Sequence, residues 1–433
     1  MKFSRRTFLG STAAMLALPN FGNAAVNRLT ASEISAQILP SGQPQTDMLG
    51  FNGVSPGPEI RVKQGEAVRV QFQNGLQEGS AIHWHGIRLN NAMDGVPVMT
   101  QDLVNPGDTF DYSFTPPDAG TYWYHSHYIS YEQVARGLYG PLIVEEQTPP
   151  DVDHDITAVI DDWRVERNGQ LSDDFGNRHD MSHGGRMGNF ARAILSKTQV
   201  QAGDRIRLRM INAATARVFP IKLNGLEGKV VALDGMAVSQ PLPLSDMVLA
   251  PAQRMDVIVD VVGTPEIVFA SRDGDYLLRS LSVEGTNTER TKSEIPALPQ
   301  PDLTKPNLEG AQKLTMKLQG GAMGRRHGGD DLWALNDVSG LPSKPFGSFK
   351  SGETALITLV NDSSFPHGMH LHGHHFREVN SDGSLGNYRD TTLVAARQSQ
   401  VIACVFDNSG KWLFHCHMLG HQAAGMKTWV AVA

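Results

Sequence analysis

Short runs of alternating apolar and polar residues recur along the whole chain. Phe110-Asp111-Tyr112-Ser113-Phe114 is one, and Ala67-Val68-Arg69-Val70-Gln71-Phe72 is another. Arg205 to Ile211 and Met255 to Val261 read the same way. Side chains two apart on a strand share a face, so each run predicts a strand with one buried side. Gly, Pro, Asn or Asp bounds each run and places turns between them. No long stretch keeps a 3.6-residue period, so long helices are not expected. The pattern predicts an all-β chain of antiparallel sandwiches.

Polar, proline-bearing breaks divide it. Gln147-Thr148-Pro149-Pro150 is the first, and the stretch from Glu284 to Gly310 is the second. The expected boundaries are 1–25, 26–148, 149–290 and 291–433, the last three each of a size suited to one sandwich. Residues 1–25 differ from the rest. Arg5 and Arg6 precede an apolar stretch from Phe8 to about Leu18, and small residues follow at Gly22, Ala24 and Ala25. The apolar stretch is too short to span a bilayer. The order basic, apolar, small is that of an export signal. The arginine pair resembles a twin-arginine signal, which implies the twin-arginine export machinery and a periplasmic location.

Composition removes several classes. The 433 residues include 43 Gly and 24 Pro, in keeping with many turns. A hydrophobic fraction of 40% suits a globular chain rather than a membrane-spanning or disordered one. The net charge of -7 gives no basic surface for nucleic acid, and loss of Lys2, Arg5 and Arg6 would make the chain more anionic. Two cysteines allow one bridge at most, so a disulfide scaffold is excluded. The unusual count is 16 histidines.

Their placement reveals an internal repeat. His83-Trp84-His85-Gly86 matches His370-Leu371-His372-Gly373. Downstream, Gly120-Thr121-Tyr122-Trp123-Tyr124-His125-Ser126-His127 matches Gly410-Lys411-Trp412-Leu413-Phe414-His415-Cys416-His417. The separations are 42 residues in the first copy and 45 in the last. The first and third domains are therefore copies of one unit. The middle domain lacks a His-x-His pair and is either a third copy without ligands or a spacer.

Each His-x-His pair puts two imidazoles on one strand face, and imidazole is the commonest metal ligand. Eight such histidines exceed one tetrahedral metal and suit a cluster of two or three metals between the first and third domains. Cys416 lies between two of them and points to the other face. His421 follows it by five residues, Met426 follows His421 by five, and His367 precedes His370 by three. One thiolate, two imidazoles and a thioether form the ligand set of a blue-copper site. The first copy has Ser126, Ser80 and Tyr131 at the positions matching Cys416, His367 and His421 by spacing.

With these motifs the chain resembles the three-domain multicopper oxidases, the family of laccases, ascorbate oxidase and bacterial cuprous oxidases. His-Trp-His-Gly, His-Ser-His, His-x-x-His-x-His-Gly and His-Cys-His-x3-His-x4-Met are all present. Asp94-Gly95-Val96-Pro97, Gly140-Pro141-Leu142-Ile143-Val144 and Leu208 to Ala213 are also in the family style. Gly368-Met369 departs from the common Pro-x without altering ligand spacing. The resemblance implies three cupredoxin-like Greek-key sandwiches and four coppers per chain. By it, His367, Cys416, His421 and Met426 hold the type 1 copper, and His83 and His370 the type 2 copper. His85, His125, His127, His372, His415 and His417 hold the type 3 pair.

The implied activity is four-electron reduction of dioxygen to water, driven by one-electron oxidation of a phenol or similar small aromatic. Cuprous-ion oxidation in copper tolerance is the alternative, and a non-catalytic relative is a further one. Cys416 with His415 and His417 would carry electrons from type 1 to type 3. Asp94, nine residues after His85, would relay protons, or simply form an Asp-Gly turn. His374 and His375 read as supports or packing residues, and Cys404 as a buried core thiol. Two His/Met-bearing loops, at 179–188 and 323–331, are candidates for extra Cu(I) or are plain mobile loops.

Overall fold

The structure, a computed structural model, describes residues 27–288, 290, 293–322 and 331–433. The export-signal reading of residues 1–25 and nearly all of the 323–331 loop lie outside the described residues. No helix among the described residues is long and apolar enough to cross a membrane.

The alternating runs form strands where the pattern placed them. Thr109–Phe114 buries Tyr112 and Phe114, and Val68–Asn74 buries every second side chain from Val68. One four-stranded sheet of the first unit orders Thr46–Phe51, Asn27–Ala36, Val68–Asn74 and Thr109–Phe114. The second orders Ile60–Lys63, Tyr139–Glu145, Gly120–Ser126 and Ile82–His85. The last unit pairs a six-stranded sheet with a five-stranded one that carries His367–Leu371 and Gly410–Cys416 side by side. The middle unit has a two-stranded sheet of Gln199–Ala202 and Ser282–Thr286, and an eight-stranded one dominated by Phe219–Leu233 and Arg254–Ser271. Register shifts at Asn224/Leu226 and Val230/Ala232 bend these long strands over the unit's own core.

Antiparallel pairing was the expectation, and two parallel pairs per unit depart from it: the long strands named next, and Ile60–Lys63 with Tyr139–Glu145, Gln199–Ala202 with Ser282–Thr286, and Gly347–Phe349 with Lys427–Val432. Asn27–Ala36 runs parallel to Val68–Asn74, His154–Trp163 to Arg205–Asn212, and Gln312–Gly320 to Glu353–Asn361. The reason is topological: the first long strand of each unit is carried across to a strand of the same direction, a pairing a hairpin cannot make. Its recurrence in the middle unit favours a third copy without metal ligands over a spacer.

The first and third units share one continuous apolar core. It runs from Leu29, Phe72 and Trp84 through Met236 to Trp333, Trp412 and Val430. The two histidine-bearing sheets are thereby held against each other, and the site lies at that junction.

Candidate metal centre

Strand pairing sets the first geometry. His83 lies opposite His125 and Ile82 opposite Ser126. In the last unit His370 lies opposite His415 and Met369 opposite Cys416. The two-residue period therefore sends His370, His415 and His417 to one side of their sheet and Cys416 to the other. Across the junction His83 stacks on His372 at 3.9 Å, and His85 on His370 at 3.7 Å. All eight paired histidines are buried.

Their donor nitrogens fall into groups. His85, His125 and His417 form one triad, and His127, His372 and His415 a second. His83, His85 and His370 form a third group, which shares His85 with the first. On the far side of Cys416, its Sγ lies 3.6 Å from Nδ1 of His367 and 3.7 Å from Nδ1 of His421. Met426 is buried, its carbonyl bonded by the Cys416 amide and its amide bonded to the His421 carbonyl. A second methionine that no motif singles out, Met418, has its sulfur 3.8 Å from that of Cys416.

Hydrogen bonds fix the imidazole orientations. Nδ1–H donates to a carbonyl in His83 (to Asp94, 2.8 Å), His370 (to Asp390, 3.0 Å), His125 (to Ser126, 2.8 Å) and His415 (to Cys416, 2.9 Å). His85 is reversed, its Nε2 donating to the Asp390 carboxylate at 3.2 Å. His367 donates from Nε2 to Ser363, and His421 from Nε2 to the carbonyl of His183. Anchoring one ring nitrogen leaves the other as a directed lone pair.

These lone pairs provide the test of fit to metal. Nε2 of His83, His125 and His370, Nδ1 of His85 and both nitrogens of His417 are buried without a hydrogen-bond partner. Elsewhere acceptors face each other: His372 Nε2 is 3.0 Å from His415 Nε2, and His367 Nδ1 is 3.1 Å from His421 Nδ1. Unsatisfied buried nitrogens and opposed lone pairs are costly, and a cation between them relieves both. Burial holds His85, His125, His127, His367, His372, His415 and His417 well below the usual imidazole range, so these rings are neutral and able to ligate. Burial likewise pushes the Cys416 thiol up to about 12, so a metal must displace its proton.

Two carboxylates brace the cluster in matching ways. Asp94 reaches His83 at 3.3 Å in its own unit and His372 at 3.0 Å across the junction. Asp390 reaches His370 at 3.5 Å in its own unit and His85 at 3.2 Å across it. Asp94 is thus more than a turn former, although Gly95 beside it has φ +78° and a Cβ there would strike the Ile82 carbonyl. Asp390 escapes a reading of the sequence, because it sits in no motif and well beyond His372. Its chemistry also differs. Burial opposes its charge, yet Arg254 and the neighbouring histidines hold it well below the usual carboxylate range. Arg254 and Asp390 leave no room for a Cβ on Gly86, which accounts for the glycine of that motif.

Among the described residues the cluster is most open at His127. His127 is 8% exposed, whereas the other seven paired histidines are at most 1% exposed. It borders a cavity of about 450 Å³ whose walls include Val96, Met99, Tyr128 and Leu413. On the side of the first unit that corresponds to Cys416, the structure corrects the match by spacing. Gln133, rather than Tyr131, fills the place of His421, with its Oε1 2.5 Å from Ser126 Oγ and 3.0 Å from Ser80 Oγ. Cys404 is a buried free thiol, as expected of a core residue.

His374 and His375 are buried and pushed down to about 4, chiefly by burial. The unfolded chain therefore takes up these protons first. Their contribution to stability is complete above about 6.5 and is lost as pH falls towards 4, at roughly 1.4 kcal/mol per pH unit for each ring. Denaturant unfolding of copper-free protein should show a lower midpoint at pH 5 than at pH 7. An unchanged midpoint would mean that neither ring is buried in its neutral form.

Known proteins match along nearly the whole chain. Multicopper oxidase family models match residues 34–149, 168–292 and 307–433. The crystal structure of Lac15 from a marine microbial metagenome is 54% identical, with a TM-score of 0.83 over 94% of this chain and 100% of that one. Multicopper oxidase MmcO of Mycobacterium tuberculosis is 29% identical, over 99% of this chain and 96% of its own length. A copper resistance protein A homolog of Pseudomonas syringae is 25% identical, over 98% of each chain. The three sandwiches are accordingly cupredoxin-like, and copper is the metal of this family, with which the buried histidine clusters are consistent. With the fold, the donor sets and the full-length match in agreement, the chain belongs to the multicopper oxidase family.

Proposed function

We propose that this copper oxidoreductase is laccase-like: it takes single electrons from small phenolic or similar aromatic donors and uses them to reduce dioxygen to water. When bound, the coppers supply one-electron uptake from the donor and four-electron delivery to dioxygen. The observation that carries the reading is the position of Cys416 between the two donor groups. Its side chain faces His367 and His421, while its backbone continues directly into His415 and His417. His415 Nδ1–H also donates to the Cys416 carbonyl, a second short link from sulfur side to cluster side.

In this reading His367, Cys416, His421 and Met426 hold the type 1 copper, and His83 and His370 the type 2 copper. His85, His125 and His417 hold one type 3 copper, and His127, His372 and His415 the other. The grouping of their donor atoms supports that division. Domain divisions near residues 148 and 290, and export through the Arg5–Arg6 segment to the periplasm, complete the proposal. A non-catalytic role has no support in the ligand motifs, since none of their residues is missing.

Asp94 serves as the proton relay. It bonds His83 and His372, and among the described residues its ion-pair partners are these two imidazoles. Asp390 has the matching position but is clamped by Arg254, so its charge is fixed and it braces rather than relays. Asp94→Asn should slow oxygen consumption about a hundredfold while the blue absorption remains. Unchanged turnover would remove the relay role.

The reading is tested by oxygen uptake of the copper-loaded protein with a phenol. Intense blue colour with uptake is the expected result. A copper-loaded but colourless protein that consumes no oxygen would sink it.

A further inference from the structure

We propose that the cavity beside His127 binds an aromatic carboxylate through Lys427, and that its occupant restricts entry of dioxygen to the cluster. The binding stands on the cavity itself, whereas the effect on dioxygen rests on the oxidase reading.

The walls call for an apolar occupant. The cavity of about 450 Å³ falls within the size range of sites that enclose small organic ligands. Met99, Tyr128, Tyr131, Leu341 and Leu413 line it with apolar and aromatic surface. Leu341 is 43% exposed, and Val98, also in the wall, is 94% exposed. Apolar surface left in water around a concavity is stabilised when a flat apolar body covers it.

The backbone marks the same place. Val98 has φ +72° and Ile129 φ +44°. A β-branched residue in the left-handed region is strained, because its side chain crowds its own backbone. Among the described residues these are the two β-branched ones with positive φ, and both line this cavity. Core packing does not impose the Val98 conformation, since its side chain lies in water. Hydrogen bonds hold both segments instead. The Val98 amide donates to the Gln101 carbonyl at 3.0 Å, and the Ile129 carbonyl accepts from the Glu132 and Gln133 amides at 2.9 and 3.0 Å. Strain fixed in this way on two segments of one cavity is characteristic of a ligand clamp.

Lys427 sets the charge of the occupant. It is the one Lys, Arg, Asp or Glu in the lining, so no carboxylate there competes for it. In the strand register Lys427 lies opposite His415, and Leu413 shares the His415 face. Its side chain therefore projects to the side that carries the cluster and the cavity wall. It is half-buried, and among the described residues no ion pair or side-chain hydrogen bond engages its ammonium. A half-buried cation without a counter-ion gains from an anion at its side. An inorganic anion would leave the apolar walls wet, whereas an aromatic carboxylate satisfies both walls and charge. His127 borders the same cavity and is the most exposed of the paired histidines, so the occupant stands between solvent and the cluster.

The test uses copper-loaded protein and 2-naphthoate, which has no phenolic hydroxyl to oxidise. Calorimetry should show a single site in the wild type, binding at least about tenfold weaker in Lys427→Met, and affinity largely kept in Lys427→Arg. The neutral isostere 2-naphthamide should bind the wild type at least about tenfold more weakly than 2-naphthoate, a comparison that needs no variant. With 2-naphthoate present, the apparent KM for dioxygen should rise while that for a phenol stays unchanged. No binding to the wild type overturns the proposal, as does equal binding by wild type and Lys427→Met, or of carboxylate and amide. A rise in the KM for the phenol would place the probe at the donor site and overturn it too. An unchanged KM for dioxygen at saturating probe overturns the control of entry. Protein that takes up no oxygen without the probe overturns the oxidase reading, while calorimetry still decides the site by itself.

Discussion

Cys416→Ser should abolish the blue absorption and reduce donor-driven oxygen uptake to background, while the cluster histidines keep their copper. In the proposed type 1 set the thiolate would be the anionic ligand, and a hydroxyl oxygen is a poor substitute for sulfur towards copper. The chain carries the same exchange in its first unit. There Ser126 and Ser80 stand where a thiolate and an imidazole would be, and their hydroxyls are satisfied by Gln133. A hydrogen-bonded knot has replaced a metal site. At position 416 no such amide is at hand, because His367 and His421 occupy the space. Absorption near the blue-copper band, copper content and an oxygen electrode check the outcome. Donor-driven turnover that survives the substitution would remove Cys416 from the electron route.

Arg254→Met should destabilise the copper-free protein by about 3–5 kcal/mol, the usual cost of leaving one member of a buried ion pair alone. Arg254 and Asp390 are both fully buried. The guanidinium forks onto the carboxylate at 2.9 and 2.5 Å, and its Nε–H donates to the Thr121 carbonyl at 3.1 Å. One side chain of the middle unit thus ties the first unit to the third, directly behind the cluster. Without it Asp390 keeps a buried charge with no cation, or takes up a proton. Either change disturbs His85 and His370, which Asp390 braces, so copper retention should fall as well. Denaturant unfolding and copper analysis report the two effects. Arg254→Met/Asp390→Asn should recover part of the stability, because it removes the stranded charge. A single-variant loss below about 1 kcal/mol would show that the pair does not carry this load.

Much of the centre is legible in the order of residues along the chain. A strand has a period of two, so His-x-His states which side chains share a face, and a residue between them must face away. That local rule accounts for the grouping of the paired histidines and for Cys416 pointing towards His367 and His421. Alternation also places the strands around Val68 and Tyr112, because burial of one face is decided within each run. The runs around Leu208 and Val257 form strands too, but both of their faces are buried.

The residues that are not legible in this way are those whose role depends on another segment of the chain. Arg205, Arg207 and Arg209 alternate with apolar residues and read as a solvated face, yet all three are buried. Arg207 pairs with Glu146 and Asp256, and Arg209 with Asp155 and Asp256, so partners from outside the strand make their burial tolerable. Gln133 escapes the match by spacing because helix Ser130–Gln133 ends two residues beyond the position that spacing selects.

By itself, the sequence determined the all-β architecture, the repeated unit and the two donor sets, since each follows from a short periodic pattern. Tertiary structure alone decided which ring nitrogens are free, that Asp390 and Arg254 stand behind the cluster, and that residues 178–183 close over His421. The physical reason is the same in each case. A polar group in the interior is stable only where a partner meets it, and these partners come from chain segments up to hundreds of residues away.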